Sequence, residues 1–147
     1  MQTYILKTSL LHNKKIIREI EVLRNTSLYR LAKEIVGAYN FYFDHCFGFF
    51  NKIGENSYLD ASEKYELFTD LIEEGENLEP TGAGSVKKTK VFEVWKKIKD
   101  KMLFLFDYGD NWQFVVELKA FGESDKQKKY PRILKKVGRA PQQYGRY

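Results

Sequence analysis

A short polar segment between two apolar runs contains two carboxylates, Asp107 and Asp110, three residues apart. It also contains Tyr108, Asn111 and Trp112. Carboxylates at this spacing can converge on a cation or act as an acid–base pair. Asp and Asn side chains also accept hydrogen bonds from the N–H groups of tight turns, which gives a purely structural alternative. We predict different roles for the two carboxylates: Asp107 holds the turn, and Asp110 faces solvent where a ligand can reach it.

A second group of reactive side chains is the run Asp44-His45-Cys46. Neighbouring residues of a strand point to opposite faces, so these three side chains cannot easily bind one ion. A metal site would need His45 together with Asp107 or Asp110, and a partly buried, hydrogen-bonded histidine is the simpler interpretation. The sequence contains no phosphate-binding loop, nucleophile elbow or helical His–Glu motif, so we predict no catalytic residue, metal or cofactor. The candidate ligand-binding residues are His45, Asp107, Tyr108, Asp110, Asn111 and Trp112.

The basic residues are concentrated at the C-terminal end of the sequence. Residues 126–147 contain eight lysines and arginines and no Asp or Glu, which leaves 17 basic against 20 acidic residues in residues 1–125. A basic segment on an acidic body favours a polyanionic partner, either nucleic acid or an acidic protein surface. A solvated tail, or a strand packed against the acidic body, is the alternative. The candidate nucleic-acid-binding residues are Lys126, Lys128, Lys129, Arg132, Lys135, Lys136 and Arg139.

Composition and cysteine content restrict the class of protein. The 147 residues suit one domain, and 43% apolar residues are enough for a core. The single cysteine, Cys46, excludes an internal disulfide framework, so we expect a reducing cytoplasm. The first residues lack the pattern of a signal peptide, and no apolar run approaches the roughly 18 residues of a membrane span. We therefore expect one cytoplasmic domain over residues 1–147, without a membrane partner.

Periodicity and turn residues predict the elements that position these side chains. The apolar runs on either side of the polar segment, within residues 102–118, predict a β-hairpin with that segment at its tip. Other strands are predicted at residues 3–11, 15–23, 45–50 and 132–137, and helices at residues 28–39 and 62–73, with a loop at 74–85 and a short helix capped by Thr89. These elements predict an α+β fold, in which a mainly antiparallel sheet of about five strands has helices packed on one face.

Five segments follow a recognisable order of motifs. Residues 106–112 are close to the pattern Tyr-Asp-Phe-Gly-Asp-x-Trp, and residues 130–132 are the triplet Tyr-Pro-Arg. Upstream, residues 16–22 follow a strand pattern Ile-Trp-Arg-Arg-Ile-Glu-Val, residues 27–41 follow a Thr-Leu-x-x-Leu helix, and residues 44–49 follow a His-Leu-His-x-Phe strand. In this order they resemble the Ri-plasmid ORF-3-like family, whose members are often labelled insertion-element passenger proteins or resolvases. The resemblance implies an α+β fold and a plasmid or mobile-element context.

The sequence departs from this family at the residues that could bind metal. Phe47 takes the place of the second histidine in the His-x-His segment, and the histidine that often follows the last tryptophan of the first pattern is replaced. The Cys-Pro-Pro-Glu-Asp-Cys tail of the family corresponds to residues 140–144, which contain no cysteine. The resolvase label gains no support from the body of the chain, because recombinases surround an activated hydroxyl with several arginines and no such cluster is present.

Three functional hypotheses follow. The first is an accessory or binding domain of a plasmid or mobile element, without catalytic activity. The second is a nucleic-acid-binding protein that uses the basic segment. The third is a metal-dependent hydrolase centred on Asp107 and Asp110. The salt dependence of nucleic-acid binding separates the first two hypotheses, and the binding of a divalent ion separates the third from both.

Overall fold

The computed structural model describes residues 1–145, and within this range one antiparallel sheet of seven strands runs through the chain. The strands are β1 (Gln2–Leu10), β2 (Asn13–Leu23), β3 (Phe47–Phe50), β4 (Lys64–Glu66), β5 (Lys101–Phe106), β6 (Trp112–Glu123) and β7 (Arg132–Val137). Their order across the sheet is β4-β3-β5-β6-β1-β2-β7. The α+β fold with an antiparallel sheet is confirmed, and the predicted number of about five strands is too low.

Three α-helices within residues 1–145 accompany the sheet: α1 (Leu28–Ala38), α2 (Leu67–Glu73) and α3 (Val91–Val94). The α1 helix begins where the Ser27 hydroxyl accepts a hydrogen bond from the Arg30 N–H at 3.0 Å. Its apolar stripe is fully buried and packs with α3 on one face of the sheet. No helix among the described residues is long and apolar enough to cross a membrane.

The main core lies between these helices and the sheet and is rich in aromatic rings. The rings of Phe49 and Phe104 stack across β3 and β5 with centroids 4.8 Å apart. The buried Trp95 indole donates a hydrogen bond to the Val116 carbonyl oxygen at 3.1 Å. A smaller apolar cluster, formed by Phe50, Leu103 and Leu105 beneath Tyr58 and Ala61, lies on the opposite face. Both faces of β5 are therefore buried, which fixes the position of the turn that follows it.

The segment predicted as a helix at residues 62–73 differs at its start. Lys64–Glu66 forms β4, which pairs with β3, and the helix begins only at Leu67. Gly48 in β3 permits this pairing, because a Cβ at that position would lie 2.9 Å from the Glu66 side chain. The helical spacing of residues 62–73 therefore led to a predicted helix that wrongly covered Lys64–Glu66, which form an edge strand of the sheet.

The loop at residues 74–85 has no helix or strand of its own, as predicted, and its far end is anchored. The buried Asp70 carboxylate accepts hydrogen bonds from the Ser85 hydroxyl at 2.5 Å and from the Val86 N–H at 2.9 Å. These bonds tie the end of the loop back to α2. Beyond the loop, α3 follows Lys90 as its N-cap, one residue later than the predicted cap Thr89.

A buried arginine connects β2 to the C-terminal part of the chain. Arg18 is 4% exposed, and its Nε donates a hydrogen bond at 3.0 Å to the carbonyl oxygen of Ala38, the last residue of α1. Its Nη1 lies 2.8 to 3.0 Å from three further carbonyl oxygens, those of Ile17, Val137 and Gly138. The guanidinium therefore joins the end of α1 to the end of β7.

Candidate functional site

The turn between β5 and β6 is held by the Asp107 carboxylate. Its Oδ1 accepts hydrogen bonds from the N–H groups of Gly109 and Asp110, both at 3.1 Å. Asp107 has a φ of 66°, in the left-handed region that Asp tolerates better than most residues. Its own N–H donates to the Cys46 carbonyl oxygen at 2.9 Å, and only 7% of the residue is exposed. Asp107 thus has the structural role that the sequence predicted.

The two aromatic residues of the turn pack against separate parts of the protein. The Tyr108 hydroxyl donates to Glu66 Oε2 at 2.5 Å, and its ring centroid lies 4.9 Å from that of Phe68. Burial, together with the adjacent Glu66 carboxylate, raises the pKa of Tyr108 well above its usual value. The Trp112 ring centroid lies 4.7 Å from that of Phe41, and both turn residues are half-buried. Both rings are therefore packing residues of the turn rather than open stacking surfaces.

The other two turn residues differ in exposure. Asn111 is exposed, has a φ of 60°, and accepts a hydrogen bond through Oδ1 from Gln113 Nε2 at 2.9 Å. Asp110 is half-buried, so the expectation that it faces solvent is met only in part. Of the six candidate ligand-binding residues, the structure brings His45 to Asp107, whereas Tyr108 turns toward Glu66.

His45 lies against two carboxylates and a phenol. Its Nε2 is 3.3 Å from Asp107 Oδ2, 3.5 Å from Asp44 Oδ1 and 2.8 Å from the Tyr144 hydroxyl. The same hydroxyl donates its proton to Asp44 Oδ2 at 2.8 Å. The single hydroxyl proton of Tyr144 is thus used by Asp44. The contact between Tyr144 and His45 therefore requires that Nε2 carries a proton and donates it to the Tyr144 oxygen. The histidine is hydrogen-bonded, as predicted, but 39% of its side chain is exposed.

Residues 139–145, which we name the C-terminal strap, reach this cluster from the end of β7. Gln143 is 6% exposed; its Oε1 accepts a hydrogen bond from the Tyr42 N–H at 2.7 Å, and its Nε2 donates to the Tyr42 carbonyl oxygen at 3.2 Å. The sequence did not single out Gln143 or Tyr144. The available signal was their position, since residues 140–144 correspond to the cysteine-containing tail of the family that the sequence resembles.

A cleft of about 440 Å³ lies beside the strap. Its walls include Tyr39, Asn40, Tyr42, Arg139, Gln142 and Tyr144. Tyr42 is 73% exposed and Arg139 is also exposed, so an aromatic ring and a cation face the opening. The volume is in the range of small-ligand sites. Because Tyr144 belongs both to the cleft and to the His45 cluster, the position of the strap determines the shape of the cleft.

The side chains of this region are arranged for hydrogen bonding. Desolvation and the neighbouring Asp44 carboxylate raise the pKa of Tyr144 to about 12, so its hydroxyl stays protonated at neutral pH. Burial, with a contribution from Glu66, also raises the pKa of the Cys46 thiol, which keeps it in the less reactive neutral form.

Across residues 1–145, no three His, Cys, Asp or Glu side chains form a group that could hold a metal ion.

The basic segment forms one edge of the sheet through β7, which pairs with β2. Six of the seven candidate cations are exposed: Lys126, Lys128, Lys129, Lys135, Lys136 and Arg139. In the part of the chain that the structure describes, none of these six lies within 4.0 Å of a carboxylate oxygen. Arg146, the eighth basic residue of the segment, and Tyr147 lie outside the described residues.

Arg132, the seventh candidate, has a different environment. Its Nε and Nη2 lie 2.9 Å and 2.8 Å from Glu21 Oε1, and its guanidinium lies 5.6 Å from the centroid of the Tyr130 ring. Glu21 is 4% exposed, and its Oε2 accepts a hydrogen bond from the Thr3 hydroxyl at 2.6 Å. Arg132 therefore neutralises a buried carboxylate inside the sheet.

Comparison with known families agrees with the order of motifs. The family model described as plasmid pRiA4b ORF-3-like protein matches residues 2–144. The chain belongs to this ORF-3-like family. Two motifs of this ORF-3-like chain have structural explanations, since Asp107 holds the β5–β6 turn and Arg132 of the Tyr-Pro-Arg triplet binds Glu21. No curated protein gives a significant match to the chain.

A solved structure has the same fold as this ORF-3-like chain. It is MM3350 from Methanosarcina mazei Go1, a protein of unknown function, with a TM-score of 0.72 and 23% sequence identity. The match covers 95% of this chain and 71% of that chain. At this identity the likeness shows the fold alone, so the function of the ORF-3-like chain has to be argued from its own residues.

Asp107 and Asp110 should differ in their effect on stability. Asp107→Ala removes two acceptor bonds of the turn and places Ala in the left-handed region, so we expect a loss of about 2–3 kcal/mol in the free energy of unfolding. Asp107→Asn should cost less, because Asn tolerates this backbone conformation and can still accept the N–H bonds. Asp110→Ala should cost under about 1 kcal/mol. Urea unfolding of the three variants measures these differences.

The hydrolase hypothesis is tested by titrating Mg²⁺, Mn²⁺ and Zn²⁺ into the parent protein and into the same variants. An ion that binds the native state raises the melting temperature. We expect no rise with any of the three ions. A rise that Asp110→Ala abolishes would favour the hydrolase, and equal destabilisation by Asp107→Ala and Asp110→Ala would contradict the division of roles between the two carboxylates.

Proposed function

We propose that this ORF-3-like chain is a single-domain, non-catalytic binding protein that holds nucleic acid on its basic edge, as an accessory component of a plasmid or mobile element. The proposed compartment is the cytoplasm, where the thiol of Cys46 stays reduced. The observation that carries the proposal is the set of six exposed cations on and around β7, which have no carboxylate partner among residues 1–145.

The charges elsewhere on the surface support a polyanion at this edge. Lys87 and Lys88 pair with Glu74 and Glu73 at 2.8 Å and 2.7 Å, so those lysines are already neutralised by the protein. The cations of the basic edge are not, and the remaining body carries an excess of acidic residues. A body of opposite sign directs a negatively charged ligand to the basic edge and away from other surfaces.

The positions of the lysines on β7 favour a flexible, single-stranded ligand. Lys135 lies opposite Glu19 and Lys136 opposite Arg18 in the strand register, so their side chains leave opposite faces of the edge strand. Lys126, Lys128 and Lys129 lie in the turn before β7. A single strand can bend around the edge and contact both faces, which a rigid duplex does less easily.

The surroundings of Tyr144 support the non-catalytic part of the proposal. A tyrosine that attacks phosphodiesters needs cations around its hydroxyl and the reacting phosphate. The Tyr144 hydroxyl instead lies against His45 and donates to Asp44, and its pKa is raised to about 12. These contacts suit a residue that fastens the strap.

The proposal is tested by the anisotropy of a fluorescent oligonucleotide, single-stranded or duplex, as the salt concentration is raised. Six phosphate contacts predict a slope of log K against log salt of about −4 for a single strand. Replacing Lys128, Lys129, Lys135 and Lys136 with Gln leaves two contacts, so the slope should fall to about −1.4 and affinity at low salt should drop at least about a hundredfold.

A matched control removes four lysines from another part of the surface. Changing Lys87, Lys88, Lys96 and Lys97 to Gln alters the net charge equally and should weaken binding much less. Lys87 and Lys88 pair with carboxylates at the end of α2, and the backbones of Lys96 and Lys97 are hydrogen-bonded to Asp100, just before β5, which three strands separate from β7. Equal losses in the two quadruple variants would show that total charge, and not this edge, determines binding. No binding of the parent protein at low salt would remove the nucleic-acid proposal.

One observation favours a second candidate partner, an acidic and extended protein segment. Among the strands that the structure describes, β7 has β2 on one side and no strand on the other. Ile133, Leu134 and Val137 on this edge are 38–39% exposed. An open edge of this kind can accept an added strand through its N–H and C=O groups. Binding of an extended acidic peptide without binding of the oligonucleotide would favour this partner.

A further inference from the structure

A groove of about 560 Å³ lies on the face of the sheet opposite α1. We name it the lysine groove; its lining includes Lys7, Lys14, Lys101, Leu11, Ile53 and Val115. Lys7 and Val115 alternate along their strands with the fully buried core residues Leu6 and Phe114, which places them on the face away from the main core. The groove shares no lining residue with the His45 cluster or with the six cations of the basic edge, of which Lys135 lies on the same face two strands away from Lys7.

The lysines of this groove lack a counter-ion within the described chain. Lys7, Lys14 and Lys101 come from β1, β2 and β5, and none lies within 4.0 Å of a carboxylate oxygen there. Glu117 is opposite both Lys7 and Lys101 in the strand register and also lines the groove. Glu19 is opposite Lys7 on β2, but its carboxylate is paired with Lys119 at 2.8 Å. Among the described residues, Glu117 is therefore one unpaired carboxylate among three ammonium groups, which leaves a local charge of about +2.

Lys7 is the least exposed lysine of the groove: it is half-buried, whereas Lys14 and Lys101 are exposed. A head group bound beside Lys7 would be partly shielded from solvent, where screening by salt is weaker and a charge-assisted hydrogen bond is stronger. Lys101 is exposed on the neighbouring side of Glu117, so two ammonium groups can approach one head group.

The rest of the lining is aliphatic. Leu11 and Val115 are half-buried, and Ile53 is 38% exposed. Leu11 also packs against the apolar cluster of Phe50, Leu103 and Leu105, so the apolar wall continues into the protein. A pocket of this volume with an apolar wall and a few polar groups suits one small ligand. Nucleic acid fits less well, because a single pocket of this size does not follow a run of successive phosphates as an extended basic surface does.

We propose that the lysine groove binds a small amphipathic anion, with a carboxylate or phosphate head group and a short apolar body. The ammonium groups of Lys7 and Lys101 hold the head group, and the Ser9 hydroxyl, which also lines the groove, can donate a hydrogen bond to it. Leu11, Ile53 and Val115 contact the apolar body. Carboxylates and phosphate monoesters share this chemistry, and the experiment distinguishes them.

The test is titration of octanoate, octyl phosphate and neutral octanol into the isotope-labelled full chain, followed by amide chemical shifts. At least one anion should shift the amides of Lys7, Ser9 and Val115, with octanol binding at least about tenfold more weakly. The anion that binds more tightly identifies the head group. Lys7→Gln should weaken anion binding about tenfold, whereas Lys33→Gln, an exposed lysine on α1, should leave it unchanged.

Several results would overturn the proposal. Octanol that binds as tightly as the anions would show an apolar site without anion recognition. Shifts confined to residues 126–139 would place the anion on the basic edge, and no shifts at all would exclude the site. Should Lys7→Gln fail to fold, Lys101→Gln gives the same comparison, because that side chain is exposed and its loss leaves no buried gap.

Discussion

Replacing Arg18 with Ala should lower the free energy of unfolding by about 3–5 kcal/mol, a large part of the stability of an ordinary domain. Four carbonyl oxygens, those of Ile17, Ala38, Val137 and Gly138, then lose a donor, and Ala38 among them is fully buried. Arg18→Lys should recover only part of this loss, because one ammonium group cannot reproduce the planar fork of a guanidinium. Midpoints of urea unfolding measure both effects.

The control for Arg18 is an exposed arginine. Arg30 pairs with Glu34 one helical turn away at 3.1 Å, and Arg30→Ala should cost under about 0.5 kcal/mol. A second measurement is limited proteolysis: Arg18→Ala should make the C-terminal strap cleavable under native conditions, since Val137 and Gly138 lose their anchor. An Arg18→Ala protein as stable as Arg30→Ala, with a protected strap, would contradict this role.

Arg132→Met should be the next most costly change, at about 3 kcal/mol, because it leaves the Glu21 carboxylate buried without its counter-charge. Glu21 is 4% exposed, and the remaining hydrogen bond from Thr3 cannot replace a full positive charge. Combining Glu21→Gln with Arg132→Met should recover at least half of the loss, since the buried charge is then gone. Urea unfolding of Arg132→Met, of Glu21→Gln and of the double variant gives the complete double-mutant cycle.

Comparison with Lys135 separates the structural role of Arg132 from a role in binding. Lys135 is on the same strand, is exposed and has no ion pair in the described chain. We expect Lys135→Met to lose affinity for the oligonucleotide with little change in stability, and Arg132→Met to show the reverse. If Arg132→Met kept full stability and lost affinity, the assignment of Arg132 to the sheet would be wrong.

Features that depend on neighbouring residues could be predicted from the sequence. Asp107 and Asn111 both tolerate positive φ, and the runs on either side have the composition of strands, so local signals agreed on the hairpin. The apolar spacing of residues 28–39 likewise predicted α1, and Ser27 just before it is a residue type that caps helices. The alternation of residues 15–23 puts Arg18 on the face of Ile20 and Val22, and the structure has its side chain against Ala38 and Tyr39, but the pattern does not indicate what a buried arginine would bind.

Features that depend on distant residues could not be predicted in the same way. Lys64–Glu66 continue the helical spacing of the residues after them, and only the position of β3 makes them a strand. Tyr144 meets Asp44 and Gln143 meets Tyr42, and these contacts join residues 100 and 101 positions apart. No periodicity within either segment encodes such a contact.

The basic segment differs from the rest of the chain in charge, but it is part of the same sheet. It is distinct in the sequence because residues 126–147 contain no Asp or Glu. In the fold, however, β7 pairs with β2 and Arg132 neutralises Glu21. Deleting the segment would therefore damage the sheet as well as remove cations, so substitutions of exposed lysines are the appropriate test of binding.

The position of β1 in the sheet has a consequence for folding. This strand lies between β2 and β6, with Gln2 opposite Glu123 and Leu10 opposite Phe114, so the sheet is completed by residues more than a hundred positions apart. Pairings of such long sequence separation make folding slow, on the order of milliseconds to seconds. During synthesis, the β1–β2 hairpin presents an unpaired edge until β6 has left the ribosome, and incomplete chains are then open to pairing with one another.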